Sequence, residues 1–154
     1  YNGWGDVLVI VFFGFVPVGG TYYVQALTWT PDVTIASLIC GLLIDTLLVV
    51  NNYRDREADA RSGKRTVIVR FGEKFGRYFY LMLGVTASLL CLCFLREGHF
   101  LAALLPQLYL IPHFLTWKRM VKIYSGKKLN SILGETSRNM LLMGILISVW
   151  LILL

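Results

Sequence analysis

Charge is absent from long stretches of this chain, and that limits its folds more than any other feature. Between Asp6 and Asp32 there is no charged side chain, and between Asp32 and Arg54 only Asp45. None falls between Arg77 and Arg96, between Arg96-Glu97 and Lys118, or after Arg138. An apolar run of about 18 or more residues can cross a hydrocarbon core, and inside that core only a helix satisfies its own backbone hydrogen bonds. The fold class expected is therefore all-α, a polytopic transmembrane bundle of five spans forming one domain over residues 1–154. A mean hydropathy of +0.65 agrees, since it lies outside the soluble globular range.

The spans are expected at about Val7 to Ala26, Val33 to Val50, Tyr78 to Leu95, Phe100 to Trp117, and from near Asn130 to Leu154. Asp6 is the expected N-cap of the first, Pro17 and Gly19-Gly20 should kink it, and Pro106 and Pro112 should bend the fourth. Thr66 to Phe71 reads as a short surface helix or an extended turn. The segments Arg54–Arg77 and Lys118–Lys128 hold 13 of the 15 Lys and Arg residues. By the positive-inside rule both face the cytoplasm, which puts Tyr1 inside and Leu154 outside. The net charge of +6 is thereby read as membrane topology, and nucleic acid is not expected as a partner. The chain opens on Tyr1 as if at the end of a loop and reads as part of a longer protein. No leader pattern precedes Gly5, so insertion is expected to come from the helices themselves. Cys40, Cys91 and Cys93 lie in apolar runs, where thiols behave as small hydrophobes, and neither a disulfide nor a zinc site is expected.

The second span runs into Asn51-Asn52-Tyr53-Arg54-Asp55-Arg56-Glu57-Ala58-Asp59-Ala60-Arg61-Ser62-Gly63-Lys64. At helical pitch Asp55 and Asp59 share a face, and Asn52 and Asp45 fall near the same stripe at seven-residue steps inward. Two carboxylates one turn apart suit a hard cation such as Mg2+, which is typically held by one or two carboxylates together with substrate phosphates. Arg54, Lys64, Arg65 and Arg70 could meet the remaining phosphate charge. The plainer alternative is a fraying helix end whose Asp and Arg side chains pair across a turn. Asp45 weighs against that, because an ionisable residue inside a span is costly, although it could equally make a structural hydrogen bond between helices. Ser62-Gly63-Lys64-Arg65-Thr66 is not a Walker loop, since Ala58 stands where the first Gly is needed and Arg65 where Ser or Thr should follow Lys. His99 and His113 read as structural. Glu135 and Arg138 either pair with each other or close the polar end of a cavity.

The run Asn51-Asn52-x-Arg54-Asp55-x-x-x-Asp59-x-x-x-Gly63-Lys64-x-Thr66, continuing to Val69-Arg70-Phe71-Gly72, resembles the second aspartate-rich motif of the intramembrane aromatic prenyltransferases. It is most similar to the branch that prenylates 1,4-dihydroxy-2-naphthoate for menaquinone. Gly3-x-Gly5-Asp6, Val11-Phe12-Phe13-Gly14 and Leu133 to Thr136 fit that branch more loosely. The resemblance implies a nine-helix bundle of which this chain supplies the last five helices. It also implies a lateral opening to lipid, a cytoplasmic active site in the bacterial plasma membrane, and a companion aspartate-rich motif outside this chain.

By the same resemblance, Asp55 and Asp59 are catalytic metal ligands for Mg2+, joined by Asn52. Asn51, Asn52, Arg54, Lys64, Arg65 and Arg70 bind the diphosphate of a polyprenyl diphosphate. The implied reaction is ionisation of the allylic carbon–oxygen bond, attack by the dihydroxynaphthoate ring, and loss of carbon dioxide and a proton. Two alternatives remain at this level. One is another acceptor, namely 4-hydroxybenzoate, homogentisate or a haem. The other is a transporter or channel piece in which Asp45, Asn52 and Asp55 line an ion path.

Overall fold

The computed structural model describes residues 3–152, so the expectations for Tyr1 and Leu154 lie outside the described residues. Five helices are long and apolar enough to cross a membrane. They are α1 (Gly5–Ala26), α2 (Pro31–Arg61), α3 (Val67–Arg96), α4 (Phe100–Ile123) and α5 (Asn130–Ile152). No strand occurs among the described residues. The all-α bundle of five spans is what the charge pattern called for.

Local chemistry sets the ends and the irregular turns. Thr30 caps α2 by accepting from the Val33 N–H at 3.3 Å, with Pro31 in the first helical position, where its missing N–H costs nothing. The interruption expected at Pro17 takes the form of a wide π-helical stretch, Ile10–Gly19, because proline cannot donate to the helical ladder. In α4, Pro106 lies in a tight 3-10 turn, Leu105–Tyr109, whereas Pro112 leaves the helix intact. Asp6 is not the N-cap: Trp4 flanks the start of α1 without a side-chain cap bond, and Asp6 turns inward, 7% exposed.

Thr66 to Phe71 resolves as helix, not as an extended turn. Thr66 caps it by accepting from the Val69 N–H at 3.2 Å, and a break at Gly72, φ 87°, separates it from the long part of α3. Only glycine enters that φ range without strain.

The bundle packs around α2. Val49, Val50 and Tyr53 of α2 meet Tyr80 and Leu83 of α3 and Ile132 of α5 at the basic end. Ile39 and Leu43 meet Tyr109 and Met143 nearer the other end. Several polar side chains inside the bundle bond one another or a backbone carbonyl, whereas the Ser37 hydroxyl and both Asp45 oxygens have no such partner. Tyr80 bonds Thr136 at 3.0 Å, Asn139 donates to Thr116 at 2.9 Å, and Gln107 donates to the Ser88 carbonyl at 2.8 Å. His113 bonds the Tyr109 hydroxyl at 2.9 Å and the Leu81 carbonyl at 3.2 Å, which agrees with its structural reading. Such pairing is what a helix needs to keep polar groups in hydrocarbon. The three cysteines are free.

Candidate functional site

Helix α2 carries its apolar face through the bundle and emerges at the basic end with Asn51 to Arg61 still helical. Asn51 and Asn52 sit half-buried where the helix leaves the core. One turn on, the Arg54 guanidinium grips Asp55 with two parallel bonds, Nε to Oδ1 at 2.8 Å and Nη2 to Oδ2 at 2.6 Å. Its Nη1 also donates to Asn130 Oδ1 at 2.9 Å, which ties the motif to the first residue of α5. The Asp55 side chain keeps 43% of its surface exposed, against 10% for Asp59.

Why Lys64 lies beside Asp59 follows from how α2 stops. The Lys64 N–H bonds the Asp59 carbonyl at 3.0 Å, and the Gly63 N–H bonds the Ala60 carbonyl at 3.3 Å, with Gly63 at φ 76°. This is the Schellman pattern, which needs a left-handed residue just past the helix end. Gly63 is therefore a helix stop, in keeping with the dismissal of a Walker loop. Reversal of the chain there brings Lys64 Nζ to 3.2 Å from Asp59 Oδ1.

Replacing Gly63 by Ala should cost about 1 kcal/mol of stability, because a Cβ disfavours this φ although nothing crowds it. A lowered thermal midpoint in detergent, with unchanged helix content, is the expected observation. An unchanged midpoint would show that the turn does not rely on glycine.

The four expected phosphate-binding cations fall into two groups. Arg54 and Lys64 are held on the two carboxylates. Arg65 and Arg70 instead line a separate cleft of about 500 Å3 with Gly3, Trp4 and Val7, and neither Asp55 nor Asp59 is among its lining residues. Among the described residues no cluster of three or more Asp, Glu, His or Cys side chains is poised for a metal. The donor types present, two carboxylates one turn apart with the outer one 43% exposed and side-chain amides on the preceding turn, are those a hard cation such as magnesium takes. Deeper along α2, an apolar groove of about 340 Å3 runs between Ile39, Leu43 and Ile44, Val18 of α1, and Met140 and Ile147 of α5.

Several features beneath the motif are not legible in the sequence. Arg56 is buried between the rings of Tyr53 and Tyr124, 4.6 and 5.0 Å from their centroids, and donates to the Tyr53 carbonyl at 2.7 Å. Arg77 donates to the Tyr53 hydroxyl at 3.0 Å and to Glu73 at 3.2 Å. Together they brace the basic ends of α2 and α3 against the connection that follows α4. The i, i+4 spacing of Glu73 and Arg77 was the readable signal. Tyr124, outside the spans, has its phenol held above the usual tyrosine range, first by its hydrogen bond to the Glu73 carboxylate. Glu135 pairs with Arg119 of α4 at 2.8 Å, not with Arg138 as one of the two expectations had it.

A bundle of five helices long and apolar enough to cross a membrane, with acids and interleaved cations at one end, defines the class, an integral membrane protein. The UbiA prenyltransferase family matches residues 1–136, and the chain belongs to that family. It is 35% identical to the 1,4-dihydroxy-2-naphthoate octaprenyltransferase of Haemophilus influenzae, over 99% of this chain and 50% of that protein. With the protein of the same description from Escherichia coli it shares 42% identity over 60% of this chain and 30% of the other. It is 28% identical to the 2-carboxy-1,4-naphthoquinone phytyltransferase of Synechocystis, over 49% of this chain and 25% of that protein. The chain thus spans half or less of the length of these curated relatives. No solved structure is a significant match.

Proposed function

We propose that the protein containing this chain transfers a polyprenyl group from a polyprenyl diphosphate to 1,4-dihydroxy-2-naphthoate, with decarboxylation, for menaquinone synthesis. It works from the cytoplasmic face of a bacterial plasma membrane. The observation that carries this reading is the alternation of acid and cation at the end of α2, Arg54 on Asp55 and Lys64 on Asp59. Acids alone would suit an ion path. Acids interleaved with cations suit a metal–diphosphate, in which both signs find partners. The descriptions of the relatives, naphthoate octaprenyltransferase and carboxynaphthoquinone phytyltransferase, support the acceptor.

In this reading Asp55 and Asp59 hold Mg2+, and Asn51 and Asn52 orient the ion or the phosphate oxygens. Bound there, the ion supplies charge neutralisation to the leaving diphosphate. Arg54 and Lys64 exchange their carboxylates for phosphate oxygens, and Arg65 and Arg70 take the rest of the negative charge. The allylic carbon–oxygen bond then breaks with its electron pair going to the diphosphate. The electron-rich ring donates a pair to the allylic carbon, and loss of the carboxyl group as carbon dioxide, with its proton, restores aromaticity. The apolar groove beside Ile39 and Leu43 suits the polyprenyl tail and keeps water from the cation.

An acceptor panel tests the assignment. The complete protein in membranes, given labelled polyprenyl diphosphate, is expected to prenylate dihydroxynaphthoate in preference to 4-hydroxybenzoate and homogentisate. A preference for either of those two would keep the family and overturn the acceptor.

A further inference from the structure

The α1–α2 crossing brings together two acids that the proposed chemistry does not use. Positions 6, 10 and 14 of α1 and 37, 41 and 45 of α2 are each four apart and so share a face. The two faces meet closely. A Cβ on Gly41 would stand 2.9 Å from Ile10 Cα, and one on Gly14 would stand 3.0 Å from Gly41 Cα. Asp6 and Asp45 therefore meet one turn nearer the basic end. Asp45 is fully buried and Asp6 is 7% exposed. Neither carboxylate oxygen of Asp45 has a hydrogen-bond partner. On the other helices packed against α2, Tyr80 is bonded to Thr136 and Glu135 is paired with Arg119.

Two carboxylates facing each other away from water cannot both stay ionised without a large Coulomb cost. A single proton between them removes one charge and lets one O–H donate to the opposite carboxylate, so that one of the two orphaned Asp45 oxygens gains a partner. Asp6 also belongs to the turn that walls the arginine cleft. Gly3, Trp4 and Val7 line it opposite Arg65 and Arg70, and a Cβ on Gly3 would lie 3.2 Å from the Arg65 carbonyl. We propose that Asp6 and Asp45 form a one-proton clasp across the α1–α2 crossing, and that this clasp positions the Gly3–Val7 turn against Arg65 and Arg70 for an anionic diphosphate headgroup. Asp45 is thus a positioning residue that acts through Asp6. Loss of the proton at alkaline pH sets the acids against each other, moves the turn away and weakens headgroup binding. The substrate half of this inference rests on the function proposed above, whereas the clasp itself does not.

The complete protein in membranes provides two separate readouts. Infrared difference spectroscopy at neutral pH is expected to show a protonated-carboxyl band that disappears in Asp45→Asn and shifts in Asp6→Asn, where Asp45 stays buried and protonated but loses the carboxylate that accepts its hydrogen bond. In transfer assays, the wild-type KM for the polyprenyl diphosphate is expected to rise about tenfold toward alkaline pH with little change in kcat. Asp45→Asn, the neutral isostere, should keep the neutral-pH KM and flatten that rise, whereas Asp45→Ala should raise KM at every pH. Absence of the carboxyl band overturns the clasp. A band present, together with an Asp45→Asn profile as pH-sensitive as wild type, overturns the positioning role. Absence of transfer in the wild type would count against the proposed function, and the infrared result would still decide the clasp.

Discussion

Asp55→Asn or Asp59→Asn, made in the complete protein, is expected to lower magnesium-dependent prenyl transfer by about 10² to 10³-fold, the range lost when one preorganised group facing developing charge is removed. Asparagine keeps the shape of each side chain and removes its charge. Arg54 is then left with one neutral oxygen in place of two charged ones, and Lys64 loses its carboxylate at 3.2 Å. Stability should change little, because both pairs have an exposed member, with Asp55 43% and Lys64 50% open, and such pairs contribute about 0 to 1 kcal/mol. Transfer assays paired with a membrane-insertion assay separate the two effects. Turnover near wild type in either variant would remove that carboxylate from the metal site.

Gly41→Val is the second large effect, and it acts on assembly. The backbones of α1 and α2 cross with Gly41 against Ile10, where a Cβ would meet Ile10 Cα at 2.9 Å and its carbonyl oxygen at 3.0 Å. Both obstacles are backbone, so no rotamer change relieves them. Small residues are what allow helices to approach this closely in lipid, where dispersion contacts replace the hydrophobic effect as the cohesive force. Forcing the helices apart should cost about 3 kcal/mol or more, at or beyond the upper end of ordinary overpacking. It should also carry Asp6 away from Asp45. A fall in thermal midpoint and loss of monodispersity in detergent are the expected signs. Gly134→Ala is the matched control, since a Cβ there meets nothing within 4 Å. Equal stability of the two variants would contradict the close crossing.

Periodic features were legible in the sequence, and pairings between distant segments were not. Uncharged runs set five helices because hydrocarbon permits little else, and the end of α2 was readable because one helix carries Asn51 through Asp59. The second-helix start at Thr30-Pro31, ahead of the expected Val33, and the stop at Gly63 obey local capping chemistry, but neither was among the expectations. Partner choice between segments has no period to read. Glu135 could reach Arg138 on its own helix, yet the packing of α4 on α5 offers it Arg119. Arg54 reaches Asn130, 76 residues on, and Arg56 finds Tyr124 only because the basic ends of three helices converge. Asp6 looked like a cap because Asp often opens a helix. The structure instead buries it at the α1–α2 crossing.

The measurement that bears most directly on the central claim is prenyl transfer by the complete protein in native membranes. It uses dihydroxynaphthoate and a labelled polyprenyl diphosphate, assayed as magnesium is removed by chelation and then restored. The account predicts a labelled, decarboxylated product that vanishes on chelation and returns with magnesium. Product formation indifferent to magnesium would contradict the metal–diphosphate role given to the end of α2. No product from any phenolic acceptor, with the protein correctly assembled, would contradict the transferase reading itself.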